Sequence, residues 1–355
     1  MKCLAVILLG LMASTMSLVA STYFYEPFAY AVGEDALTAA EAWSTVRNAE
    51  SEADVEAGSL AYTDALGREL RTAGAKVLVD TADELAEVRH RAPLDLSLHQ
   101  GPVLWISLLG WQTAGDARRF LNLAFMTPDN IVQPPDADGD EDEAFSLGVS
   151  SSANPSGWSV FNRSQSNGRQ VAQSAVPTDR MSLVLVRVEP NIDGGESERY
   201  TLWVNPLLGT PPPEADGLSI VSVDAGGLPA SDFNDWTDLI GMRIGAGTAR
   251  NGLPAVSWLV DEIRLGADWT DALPWSPPLE WLPPLPAPGP EGFVVTWRPA
   301  PGRTDVVESS TDLVTWTPYE ASRRTGIEGE TSASFTVPAA PAGATRFLVR
   351  VRREP

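Results

Sequence analysis

The stretch Met181 to Pro206, MSLVLVRVEPNIDGGESERYTLWVNP, decides the fold class. Its two arms, Met181 to Glu189 and Tyr200 to Val204, are rich in Val, Leu, Tyr and Trp. Between them stands Pro190-Asn191-Ile192-Asp193-Gly194-Gly195. Short β-branched and aromatic runs bounded by Pro, Asn, Asp and Gly predict strands separated by turns. The pattern recurs in both directions. Upstream, strands are predicted at Thr22 to Tyr30, Val55 to Tyr62, Ala75 to Val79, Val103 to Leu109, Arg119 to Phe125, Ala144 to Val149 and Gly157 to Phe161. Downstream they fall at Leu218 to Val223, Leu239 to Ile244 and Ala255 to Leu265. A dozen strands without alternating helices predict two packed antiparallel sheets, not a βαβ sheet. One helix is predicted, Ala82 to Arg91, with Thr81 and Glu84 as a capping box, Leu85 and Val88 as its apolar face and His90 on its polar face.

The 355 residues carry 47 acids against 25 Lys and Arg, a formal charge of -22, with 43% apolar and 20% charged residues. That is a globular composition, long enough for about two domains. So large an acidic excess excludes nucleic acid or anionic lipid as the main partner. The excess is local: residues 22–290 hold 39 acids against 16 bases, whereas 291–355 hold eight of each. Arg346, Arg350, Arg352 and Arg353 crowd the end, which predicts that this end docks on an anionic surface.

Met1-Lys2-Cys3, the apolar run Leu4 to Ala13 and the small residues of Leu18-Val19-Ala20-Ser21 read as a signal peptide over residues 1–21. The run is shorter than the roughly 20 residues of a membrane-crossing helix. The expectation is therefore a secreted, cell-surface or periplasmic protein with no integral span once the signal is removed. Removing it also removes the only Cys, leaving a mature chain without disulfides that depends on its packed core. Pro274 to Pro290, PWSPPLEWLPPLPAPGP, predicts a semi-rigid linker. The alternative is an irregular domain edge, since Trp275 and Trp281 favour packing. Beyond it, Gly292 to Trp297, Asp305 to Glu308, Ser332 to Val337 and Arg346 to Val351 predict a second, small β-sandwich over 291–355.

Three constellations bear on chemistry. Glu52-Ala53-Asp54-Val55-Glu56 is E-x-D-x-E, which on a strand puts three carboxylates on one face. Retaining glycosidases need two such groups about 5 Å apart. The polar, Ala-rich surroundings (Ala49 to Gly58) favour a solvated cluster instead. The run Pro135 to Glu143 is oxygen-rich, and Asp136, Asp138 and Asp140 are its candidate Ca²⁺ ligands. It departs from the EF-hand template, with Glu141 at the Gly position and Leu147 at the bidentate Glu position; the other reading is a solvated hairpin tip. Among twelve Trp, Trp105, Trp203 and Trp258 stand in apolar strands and are assigned to the interior. Trp111, Trp158 and Trp236 stand among Gly, Ser, Asn and Asp and are the candidate exposed ligand-binding aromatics. His90 and His99, without Cys or H-E-x-x-H, do not make a zinc site, and neither a G-x-S-x-G elbow nor a Walker loop occurs.

The order Tyr23-Phe24-Tyr25-Glu26-Pro27-Phe28, Val103-Leu104-Trp105-Ile106-Ser107, Leu183 to Val188, Tyr200 to Pro206 and the closing Val260-Asp261-Glu262-Ile263-Arg264-Leu265-Gly266 resembles the concanavalin A-like, laminin-G-like jelly roll of secreted bacterial proteins, over 22–273. The resemblance implies that the closing strand lies beside the first, with Asp261 and Glu262 structural. The string Ser310 to Trp316, with Arg346 to Val351, is similar to the fibronectin type III-like β-sandwich appended to such proteins, a module usually taken as a spacer or docking element. The expectation is an all-β protein, a jelly-roll sandwich followed by a smaller one. Its leading functional reading is a non-enzymatic binder of extracellular polysaccharide or another polymer, or of an envelope protein. The alternatives are a glycoside hydrolase using Glu52 and Glu56, and a purely structural envelope component.

Overall fold

The computed structural model describes residues 22–33, 37, 42–47, 53–81, 87–115, 119–128, 142–149, 157–162, 171–192, 194, 197–222, 233–248, 256–276, 280–281, 292–299, 303–311, 315–327, 330–340 and 347–353. Two antiparallel sheets dominate. Sheet A runs β14 (Leu218–Val221), β13 (Arg199–Val204), β12 (Ser182–Glu189), β7 (Leu104–Ala114), β16 (Ser257–Gly266), β5 (Lys76–Asp80) and β3 (Ala53–Glu56), with β1 (Thr22–Glu26) also paired to β16. Sheet B runs β11 (Val171–Gln173), β10 (Ser159–Asn162), β9 (Asp142–Val149), β8 (Arg119–Thr127), β15 (Gly241–Thr248), β6 (Glu87–Pro93) and β2 (Ser44–Arg47).

The near-continuous apolar arm of β12 has a simple cause, since sheet A is covered on both faces. Val184, Val186 and Val188 join Leu104, Ile106 and Leu108 in the core between the sheets. The intervening Leu183 and Leu185 turn outward to Leu109, Trp203 and Leu259. Leu60, Tyr62, Leu70, Leu208, Ala272 and Leu273 close over that outer cluster. The helix α1 (Trp269–Ala272) lies there, opened by a capping box between Asp268 and Asp271.

The predicted helix over Ala82 to Arg91 is a misreading from Glu87 onward, and residues 82–86 lie outside the described residues. Residues 87–93 form β6, hydrogen-bonded between β15 and β2, with Ile244 and Thr45 opposite His90. Two-sided pairing outweighs the local helix signal. The Thr81 hydroxyl, assigned to a helix cap, accepts from Val256 N at 2.9 Å.

Trp275 is not confined to a linker. It lies in β17 (Trp275–Ser276), which pairs with β4 (Glu69–Leu70), and its ring packs in the outer cluster, 5.7 Å from the Arg68 guanidinium. Trp281 falls in β18 (Glu280–Trp281), opposite Trp297 of β19 (Phe293–Arg298), which in turn pairs with β23 (Ala333–Val337). A second small sheet centres on β20 (Thr304–Ser310), joined by β21 (Thr317–Pro318), β22 (Arg324–Thr325) and β24 (Leu348–Arg353). Val295, Trp297, Val307, Ala333, Val337 and Val351 fill the space between these two sheets.

The terminal Arg cluster is bonded within this module. Arg350 and Arg352 each donate to Glu308 at 2.7 Å, and Arg353 donates to buried Asp305 at 2.9 Å. Burial pushes the Glu308 carboxyl up, but Arg352 and Arg350 hold it below the usual range. Arg350 also lies over Trp316 at 4.1 Å. Arg346 lies outside the described residues. Three of the four Arg expected to dock on an anionic surface thus bond carboxylates of their own module.

Candidate functional site

Chemistry concentrates where the first and last strands of the jelly roll meet. Thr22 stands opposite Gly266, Tyr25 opposite Arg264 and Glu26 opposite Ile263. Between Asp261 and Arg264 the pairing of β16 with β7 shifts register, a bulge, and Glu262 adopts a φ of 56°. A non-glycine residue in the left-handed region costs on the order of 1–3 kcal/mol and persists only when its surroundings over-determine it.

The bulge turns both carboxylates into ties between separate segments. Asp261 accepts from Leu60 N at 2.7 Å, Ser59 Oγ at 2.5 Å and Glu262 N at 2.7 Å. Glu262 accepts from Ala73 N at 2.6 Å, Tyr25 Oη at 3.0 Å and Ser59 Oγ at 3.1 Å, and it pairs with the Arg264 guanidinium. Arg264 also donates to Arg71 O at 2.5 Å and stacks 4.6 Å from the Tyr25 ring. Burial pushes Asp261 up to about 8, against the pull of its donors. Glu262 is raised by the same cause, which Arg264 opposes. Tyr25 is pushed up to about 12 by burial and by the Glu262 charge.

Above this knot opens a cleft of about 330 Å³, at the lower end of the size range of ligand pockets. Thr22, Tyr25, Arg71, Arg264, Thr270 and Asp271 contribute to its wall. Tyr25 is 40% exposed, so its ring is open to solvent in part. Asp271 caps α1, accepting from Ala267 N at 3.1 Å and Asp268 N at 3.2 Å, and burial raises its carboxyl. The cleft therefore offers an aromatic wall, hydroxyls, guanidinium groups and one carboxyl.

The aromatic candidates lie elsewhere. Trp158 is fully buried, edge-on to Trp258 at 6.0 Å, and a Cβ on Gly110 would fall 2.4 Å from its ring. Trp236 is only 7% exposed, packed on His99 at 4.7 Å and Phe233 at 5.4 Å, with Nε1 donating to Gly101 O at 2.9 Å. Neither is the exposed loop aromatic that its polar neighbours suggest; the polar residues form the turns while the rings turn inward. Trp111 is 36% exposed, with Nε1 donating to Asp179 O at 3.1 Å. It stands opposite Leu259, seven residues along β16 from Gly266, roughly 23 Å of strand. Trp203 and Trp105 stack at 5.6 Å on the outer face of sheet A instead of between the sheets.

In the E-x-D-x-E string, Asp54 and Glu56 stand on the edge strand β3, half-buried and alternating with core residues Ala53 and Val55, and Glu56 pairs with Lys76 at 3.4 Å. Glu52 lies outside the described residues, as do Asp136, Asp138 and Asp140. Among the described residues no group of three His, Cys, Asp or Glu is placed to hold a metal ion. No described helix is long and apolar enough to cross a membrane.

Sequence reasoning treated Asp261 and Glu262 as structural but missed the opening beside them. The string Asp261-Glu262-Ile263-Arg264, where three charged residues interrupt an otherwise apolar strand, signals the knot but not the cleft above it. Sequence reasoning also missed Glu26, which accepts from Phe28 N at 2.7 Å, Tyr30 Oη at 2.6 Å and Trp43 Nε1 at 3.0 Å, and the buried Arg243–Glu143 pair at 3.1 Å.

No protein-family model and no curated protein matches the chain. Among solved structures it is similar to an endo-β-1,4-glucuronan lyase from the fungus Trichoderma reesei, 9% identical, covering 72% of this chain and 99% of that one, TM-score 0.43. The globular domain of T. cruzi calreticulin is 14% identical over 72% and 91%, TM-score 0.41. A β-1,3-glucanase from Mycobacterium marinum is 13% identical over 70% and 99%, TM-score 0.38.

Proposed function

We propose that this is a secreted, non-enzymatic two-module protein whose jelly roll binds extracellular carbohydrate. One observation carries the reading. The cleft presents the Tyr25 ring beside the Thr22 and Thr270 residues, while the two carboxylates beneath it are bonded by Leu60 N, Ala73 N, Ser59 and Tyr25. Sugar recognition uses an aromatic wall for C–H faces and convergent polar groups for hydroxyls. Retaining hydrolysis requires two acids facing the scissile bond, one of them able to attack. Acids tied to backbone donors under the floor suit recognition and not attack. Export rests on the leader of residues 1–21.

The test is binding of the mature protein to a panel of immobilised polysaccharides, beside the variant Thr22→Trp, which sets a bulky side chain on the cleft wall at a residue that makes none of the knot's hydrogen bonds. Retention by wild type and loss in the variant is the expected result. A panel that retains neither protein ends the proposal, and reducing-end release during incubation would replace it with the hydrolase alternative.

A further inference from the structure

The cleft departs from its module in charge. Residues 22–290 hold 39 acids against 16 bases, yet the cleft wall holds two guanidinium groups, Arg71 and Arg264, against the single acid Asp271. Arg303 reaches the lip from the C-terminal module, donating to Thr72 O at 3.3 Å. The neighbouring acids are muted. Glu262 is paired with Arg264, Asp268 accepts from Thr270 N at 2.7 Å as the cap of α1, and burial moves Asp261 and Asp271 toward their neutral forms.

One guanidinium in this wall is uncommitted. Arg71 uses Nε, which donates to Ser276 Oγ at 3.3 Å, and its terminal nitrogens bond nothing among the described residues. Arg264 Nη1 and Asp271 Oδ1 also lack partners, but both atoms are sealed from the opening. The terminal nitrogens of Arg71 are therefore the unmatched donors that a ligand in the opening can reach. A guanidinium presents its N–H groups in a fork that fits a carboxylate. At physiological ionic strength charges are screened over about 8 Å, so an anion seated here is governed by the adjacent Arg side chains and not by the distant acids of the module.

We infer that the cleft takes a carboxylate-bearing sugar, a uronate unit of a polysaccharide, with its carboxylate on the Arg71 guanidinium and its ring hydroxyls toward Thr22 and Thr270. This rests on the carbohydrate-binding reading above and adds the charge of the ligand. The experiment compares methyl β-glucuronide and methyl β-galacturonide with the corresponding neutral glycosides, by saturation-transfer NMR and calorimetry at 0.15 M salt, alongside the polysaccharide panel. A charge-assisted bond supports a preference of about tenfold or more for the uronates. Arg71→Ala, which keeps the backbone carbonyl that Arg264 uses, removes the preference, and Thr22→Trp removes binding of both classes; circular dichroism checks that each variant is folded. Equal binding of acidic and neutral glycosides, or a preference that survives Arg71→Ala, overturns the inference while leaving carbohydrate binding intact. Failure of all glycosides and polysaccharides to bind overturns both.

Discussion

Replacing Asp261 by Asn tests whether the knot under the cleft holds a neutral acid. Burial raises the Asp261 carboxyl from an ordinary value near 3.8 to about 8. An acid raised in the folded state keeps its proton where the unfolded chain has lost it. Between the two values the native state therefore binds more protons, and stability falls as pH rises, levelling off above about 8. Across pH 5 to 8 that is one proton over three pH units, a ceiling of about 4 kcal/mol at roughly 1.4 kcal/mol per unit. The value of about 8 already sets burial against the donors Leu60 N and Ser59 Oγ, which favour the ionised form. Asn does not titrate. At pH 5 it costs about 1–3 kcal/mol, because its amide N–H₂ cannot accept from every donor that Asp261 satisfies. At pH 8.5 wild type carries a buried charge that the variant lacks, so the gap closes or reverses. Urea unfolding followed by Trp fluorescence at pH 5, 6.5 and 8.5, wild type beside variant, measures the gap. The same cost at every pH would mean that Asp261 is ionised throughout, refuting the assignment.

His99 gives the opposite slope. Burial between Tyr23 and Trp236 lowers its pKa, so the unfolded chain takes up the proton first and stability is lost as pH falls below about 6.5. His99→Phe should flatten that acid limb in thermal melts at pH 7 and 5, and an unchanged limb would assign it to other groups. Trp158→Ala should cost about 3–5 kcal/mol as a cavity in the core, whereas Trp111→Ala should cost under about 1 kcal/mol; equal costs in chemical denaturation would contradict their placement. Gly110→Ala sets a methyl against the Trp158 ring and should destabilise by about 1–3 kcal/mol, and a neutral result would mean that the ring can shift.

Strand positions were legible because they depend on local composition. The arms of Met181 to Pro206 became β12 and β13, and Val260 to Gly266 lies in β16 beside β1. What sequence left unread depends on partners distant in the chain. The capping signal of Thr81 and Glu84 was real as a pattern, but residues 87–93 had two strands waiting to pair. Polar neighbours placed Trp158 and Trp236 outside because composition reports the turn and not the direction of the ring. The unbroken apolar run of Leu183, Val184, Leu185 and Val186 carried the sign that both faces of sheet A are covered, but not which segments cover the outer one. The cleft was invisible for the same reason: Arg71, Arg264 and Asp271 come together only through the 59–73 segment and α1 folding back over sheet A.

The meeting of β1 with β16 also has a mechanical meaning. Thr22 and Gly266 are opposite one another at the open end of the pairing, so tension that reaches them peels the strands apart one bond at a time. Peeling is the weak way to load a ladder, since its bonds share no force. The fork can advance only to Tyr25, whose hydroxyl is bonded to Glu262, and Glu262 is bonded in turn to the 59 and 73 positions of a different segment. There the load spreads from one rung to several at once, so the knot acts as a stop that lets the edge yield while the sandwich behind it holds.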